Sequence, residues 1–119
     1  MTDIRLGPVE SRFADLIWEN EPLASGELVQ ICQEELNWKK STTYTVLRRL
    51  IDRGIFKNEK GMVTSLISKS EFNAVQSEKF VEETFAGSLP QFLTAFTKRK
   101  KLSDQEIAEI QKIIEERRG

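Results

Sequence analysis

Between Lys39 and Gly54 the chain reads KKSTTYTVLRRLIDRG, and this stretch limits the possible folds more than any other. Thr43, Val46, Leu47, Leu50 and Ile51 recur at steps of three and four, the period of a helix with one buried face. Gly54 supplies the left-handed conformation at which many helices stop. At 3.6 residues per turn, Ser41, Thr45, Arg48 and Asp52 fall on the opposite side, with Tyr44 and Arg49 on its flanks. Such a helix must pack against other elements on one side while presenting hydroxyls and cations on the other.

The partners for its apolar face lie upstream. Pro8, a residue favoured at a helix start, precedes Val9, Phe13, Leu16 and Ile17, which predict a first helix with one apolar face that ends before Pro22. A second helix is predicted from Ser25, read as its cap, with Leu28, Ile31, Cys32 and Leu36 on the buried side. After Gly54 the rhythm changes to two short strands, Ile55 to Glu59 and Met62 to Ile67, joined by a tight turn at Lys60-Gly61. Three helices followed by a hairpin is the order of a winged helix-turn-helix, in which the third helix enters the DNA major groove and the hairpin, or wing, reaches phosphates.

From about Ser70 onward the pattern is helical again. A long segment with Phe72, Val75, Phe80, Val81 and Phe85 ends near Gly87, and Ser88 with Pro90 restarts a helix carrying Leu89, Phe92, Leu93 and Phe96. Ser103 and Glu106 form a capping box ahead of Ile107, Ile110, Ile113 and Ile114. The expected fold is mainly α with a small β-hairpin. Residues 1–69 form a winged helix-turn-helix DNA-binding domain, and residues 70–119 form a helical dimerisation domain. Short helices cannot cover all of these large side chains among themselves. At about 25 cal/mol per Å2 the uncovered remainder would cost several kcal/mol, which pairing with a second copy avoids. The dimer interface is assigned to Phe85, Leu89, Phe92, Leu93, Phe96, Ile107, Ile110, Ile113 and Ile114, and a twofold homodimer is the commonest closed assembly.

Charge separates the function classes. The chain as a whole carries a net charge of −1, so any attraction to nucleic acid must come from the placement of charges. That placement is uneven: residues 1–38 hold eight acids and two bases, whereas residues 39–60 hold seven bases and two acids. Histidine is absent and Cys32 is the single cysteine. The commonest general base and metal ligand are therefore missing, and neither a disulfide framework nor a cysteine zinc cage can form. No nucleophile-base pair or ligand cluster remains to support an enzyme, and no cofactor is expected. The N-terminus lacks a secretion pattern and no window is long enough to span a membrane, so a cytoplasmic protein without membrane insertion is expected.

The basic stretch carries both kinds of contact that duplex DNA requires. Lys39, Lys40, Ser41 and Thr42 sit at the helix start, where free N–H groups and the positive end of the helix dipole also attract phosphate. Tyr44, Thr45 and Arg48 are assigned to base edges, and Arg49, Lys57 and Lys60 to the backbone. Arg53 is read either as a backbone contact or as a charge at the helix end. The bland reading of each remaining feature is structural: a buried Cys32, Trp18 and Trp38 packed at helix ends, and Lys98 to Lys101 as a solvated loop. A rival functional reading is a winged-helix protein-interaction module whose basic face binds an acidic protein partner.

In combination and order these residues resemble the penicillinase-repressor family of bacterial regulators, which includes repressors of beta-lactamase and methicillin-resistance genes and copper-responsive relatives. The resemblance covers nearly the whole chain. It rests on Glu10 and Leu16-Ile17-Trp18, on Trp38 with Ser41 through Leu50 and Arg53-Gly54, and on Phe85 to Ser88 with Leu93 and Phe96. It implies a homodimeric repressor that covers a palindromic operator in double-stranded DNA. In the antibiotic-responsive branch, release follows cutting within the dimerisation domain, triggered by a membrane sensor metalloprotease. The matching bond here joins Ala95 to Phe96, where the family prototypes carry Asn before the Phe. The copper-responsive branch has a cysteine-rich motif near its C-terminus. This chain has no cysteine after Cys32, so copper sensing by that route is not expected.

Overall fold

The structure, a computed structural model, describes residues 6–119. Its described elements run α1 (Pro8–Asn20), β1 (Leu23–Ala24), α2 (Ser25–Leu36), α3 (Lys40–Asp52), β2 (Phe56–Glu59), β3 (Met62–Ser65), α4 (Lys69–Phe85), α5 (Leu89–Thr97) and α6 (Asp104–Glu116). This is a winged helix-turn-helix followed by C-terminal helices. The chain divides into two compact units, one ending at Ser77 and the other beginning at Glu78, so the division falls inside α4.

In the first unit, α1 begins with Pro8 behind the cap residue Gly7, whose N–H donates to Glu10 Oε1 at 3.3 Å. Phe13, Ala14 and Ile17 bury one face of α1. Val9 does not join them: it is 57% exposed and lines a surface cleft with Leu36 and Trp38 at the end of α2. The start of α2 also differs from expectation. Ala24 occupies the cap position with Glu27 Oε1 accepting its N–H at 3.1 Å, and Ser25 is the first helical residue. The Ser25 hydroxyl instead accepts a hydrogen bond from Tyr44 at 3.2 Å, which ties α2 to α3.

Helix α3 ends in a left-handed turn. Gly54 has φ +79°, its N–H donates to Ile51 O at 2.9 Å, and the Ile55 N–H donates to Leu50 O at 3.0 Å. This pair of bonds is the Schellman closure, and it satisfies carbonyls that the helix end would otherwise leave open. The chain then enters β2. Lys60 and Gly61, at φ 52° and 82°, make the two-residue turn with both central residues left-handed that suits strand twist. β3 pairs antiparallel with β2 and also with β1, giving the order β1-β3-β2. The sequence predicts two strands; the third is a two-residue segment in which Leu23 faces Val63.

Phe13, Ile17, Leu28, Leu47, Leu50, Ile55, Phe56 and Val63 are buried together as the core of this unit. Both tryptophans close its margins. Trp38 stacks on Phe13 with ring centres 5.4 Å apart. Trp18 lies 5.3 Å from Phe56 of β2 and 5.4 Å from Phe72 of α4, and its Nε1–H donates to Ile67 O at 3.0 Å. Lys69 of α4 pairs with Asp15 at 3.0 Å.

In the second unit, Gly87 at φ 83° closes the end of α4, and Ser88 caps α5 by accepting the Gln91 N–H at 3.2 Å. The Ser103 and Glu106 capping box opens α6, each side chain accepting the other's N–H at 3.1 Å. Phe80, Phe85 and Phe92 form a triangle of edge-to-face rings 5.6 to 6.0 Å apart, with Phe96 6.1 Å from Phe92. No residue of α5 or α6 is fully buried.

Candidate nucleic-acid interface

The site is built on the outer face of α3 and on the hairpin after it. Thr43, Val46, Leu47 and Leu50 are buried, which fixes the helix rotation. The opposite stripe of Ser41, Thr45, Arg48 and Asp52 is therefore exposed, together with Lys39, Lys40, Thr42 and Arg49. The Thr45 hydroxyl donates to Ser41 O at 2.8 Å, so its proton is taken while the side chain stays exposed. Tyr44 is half-buried, and its hydroxyl proton is committed to Ser25.

Two adjoining clefts run along this face. One, of about 550 Å3, is lined by Tyr44, Leu47, Arg48, Ile51, Asp52 and Asn58. The other, of about 390 Å3, is lined by Tyr44, Thr45, Arg48, Arg49 and Asp52. Tyr44, Thr45, Arg48 and Arg49 thus share one surface, while Lys57 and Lys60 lie on the wing. One member of this surface, Asn58, escapes the sequence reasoning, and another, Asp52, is placed by it on the outward stripe but given no role. Asn58 reaches the cleft because it shares the face of β2 that carries the buried Phe56, two residues before it, and that face is turned toward α3. Asp52 introduces a carboxylate into an otherwise cationic stripe.

Ion pairing sorts the cations. Lys57 Nζ lies 3.3 Å from Glu59, and Arg53 Nη1 lies 3.7 Å from Glu10 of α1. Lys39, Lys40, Arg48, Arg49 and Lys60 make no ion pair among the described residues, so their charge is available to an anionic partner. Nothing acidic lies in the first turn of α3, and no side chain caps it, so its first N–H groups also face outward.

Among the residues assigned to the dimer interface, Leu89, Phe96, Ile107, Ile113 and Ile114 are exposed, whereas Phe85, Leu93, Phe92 and Ile110 are half-buried. Ala95 and Phe96 both stand on the exposed side of α5. Cys32 is buried between α2 and α3, and burial pushes its thiol pKa up, against a smaller opposing effect of its hydrogen bond with Thr43. No group of His, Cys, Asp and Glu among the described residues is arranged to hold a metal, and no helix among them is long and apolar enough to cross a membrane.

A sequence model of a family described as penicillinase repressor matches residues 6–116. A penicillinase repressor of Bacillus licheniformis is 27% identical over 119 residues, covering 97% of this chain and 93% of its own. The methicillin resistance regulatory protein MecI of Staphylococcus aureus strain Mu50 is 22% identical over 92% of both chains. The protein of the same name in Staphylococcus epidermidis is 21% identical over the same shares.

Proposed function

Because the chain belongs to the penicillinase repressor family, whose members are transcriptional regulators and not enzymes, we propose that it represses transcription as a homodimer on a palindromic operator. The observation that carries this reading is the outward stripe of α3: hydroxyls and unpaired cations on a helix whose rotation the core fixes. In the proposed complex α3 enters the major groove. Thr45 and Arg48 meet base edges, with Tyr44 contributing its ring edge, since its hydroxyl proton is taken. Lys39, Lys40, Ser41 and Thr42 hold phosphate at the helix start, while Arg49, Lys57 and Lys60 follow the backbone.

One such helix makes too few base contacts for a specific site, and two copies about one helical turn or a multiple apart supply the rest. The exposed faces of α5 and α6 provide the surface for pairing: Leu89, Phe96, Ile113 and Ile114 each leave close to half of their surface in water. Repression is then occlusion of the promoter, and release follows loss of the dimer. Cutting between Ala95 and Phe96 by a membrane sensor metalloprotease is the release route that family membership suggests.

The test is binding to duplexes from the chain's own promoter region across a salt series. Tight binding to one palindromic fragment, with affinity falling steeply as salt rises, supports the repressor. Binding to an acidic protein but to no duplex supports the interaction module.

A further inference from the structure

Helix α1 supplies none of the proposed DNA contacts, yet each of its ends holds an element that does. At its start, Glu10 is oriented by the Gly7 N–H on Oε1, and its buried Oε2 faces Arg53 Nη1 at 3.7 Å. Arg53 is the residue that closes α3, its own N–H donating to Arg49 O at 3.1 Å. At the other end Glu21 is the residue that closes α1. Its Oε1 accepts the Ser65 N–H at 2.9 Å, and the Ser65 hydroxyl lies 2.8 and 2.9 Å from its two oxygens. Ser65 ends β3, the strand that carries the wing.

Eleven residues of helix rise put the backbones of Glu10 and Glu21 about 16 Å apart along one segment, and Phe13, Ala14 and Ile17 lock that segment into the core between them. From this arrangement we propose that Glu10 and Glu21 are positioning residues for operator recognition: they set α3 and the wing at one fixed separation. The proposal rests on the repressor reading above. It also moves Arg53 out of the DNA-contacting set, since its guanidinium is engaged by the Glu10 carboxylate with only a third of the side chain exposed.

Positioning and charge attraction leave different signatures. Base readout needs side chains within hydrogen-bond range of specific edges, whereas attraction to phosphate tolerates displacement. Losing either anchor therefore reduces discrimination without reducing the charge presented to DNA.

The experiment compares the full-length parent with Glu10→Gln, Glu21→Gln and Arg53→Gln, on the promoter duplex the parent holds most tightly and on a random duplex of equal length. The two Glu variants are expected to lose about tenfold in promoter affinity: Glu21→Gln weakens hydrogen bonds to a charged group, and Glu10→Gln removes an ion pair whose 3.7 Å contact is too long for a hydrogen bond. Their affinity for the random duplex should be unchanged or slightly raised. Arg53→Gln should lower promoter affinity with the same salt slope as the parent. A slope reduced by about 0.9 per protomer, or about 1.8 for the dimer, would mark a phosphate contact and overturn its reassignment. If a Glu variant does not fold by circular dichroism, Ser65→Ala removes the hydroxyl partner at one end, and Arg53→Gln tests the other. Promoter affinities equal to the parent's in folded variants, or equal losses on both duplexes, overturn the positioning role. If the parent itself binds no duplex in a salt-dependent way, the repressor reading falls and this proposal falls with it.

Discussion

Truncation of Phe96 to Ala puts the proposed dimer at risk in a calculable way. Phe96 leaves 46% of its surface in water while its ring edge leans on Phe92. A phenylalanine side chain presents roughly 200 Å2, so about 90 Å2 per protomer, or about 180 Å2 across a twofold interface, awaits cover. Covering that area contributes about 4.5 kcal/mol at about 25 cal/mol per Å2. Ordering of interface side chains offsets part of it, which leaves an expected loss of about 2 to 4 kcal/mol. The dimer dissociation constant should rise by about 30-fold to 1,000-fold. Sedimentation equilibrium over a concentration series reads this directly, with circular dichroism showing that helix content is retained. Val9→Ala is the control: Val9 is 57% exposed but sits on α1 in the first unit, and its loss should leave the dimer unchanged. A folded Phe96→Ala protein whose dissociation constant moves by less than about threefold would remove α5 from the interface, since even half the expected energy exceeds that change.

Three other perturbations test other parts of the structure. Arg48→Ala should weaken promoter binding by about 1 to 3 kcal/mol in a duplex-binding titration while the dimer constant stays at the parent's value, because Arg48 is exposed on α3 and is not among the residues assigned to the interface. Gly54→Ala should destabilise the fold by about 1 to 2 kcal/mol in urea unfolding. An added Cβ would meet nothing within 4 Å, so the whole cost is the left-handed backbone at φ +79°, and an unchanged midpoint would contradict the Schellman closure. The buried Cys32 thiol has a pKa above its ordinary value of 9.0, so its contribution to stability is complete below that pH and is lost as pH rises toward the folded value. A thiol reagent at neutral pH should label it only at the rate of unfolding, and prompt labelling of the native protein would contradict its burial.

The parts of the fold legible in the sequence are those where one local rule suffices. The step pattern from Thr43 to Ile51, the stop at Gly54, the Lys60-Gly61 turn and the Ser103 with Glu106 box each state their structure within a few residues. The misses all depend on distant partners. β1 is two residues long, too short for any alternation to show, and exists because β3 offers it an edge. Ser25 reads as a cap in isolation, yet the hydroxyl of Tyr44, nineteen residues away, claims it. Val9 fits the apolar face of α1 by spacing, but it lines an open cleft beside the end of α2 and does not enter the core. The outward stripe of α3 follows from its buried face, so most of the candidate site was readable in advance. The engagement of Arg53 by Glu10 was not, because a basic run in sequence does not say which of its members meets an acid in space.

The indole of Trp18 occupies the gap between a wing strand and the opening turns of α4. Anyone excising the duplex-facing half for crystallography or peptide display therefore inherits a minimum length. A fragment trimmed at residue 69 would delete Phe72 and bare one side of that large ring, whereas a cut after Ser77, where the first compact unit ends, keeps it covered.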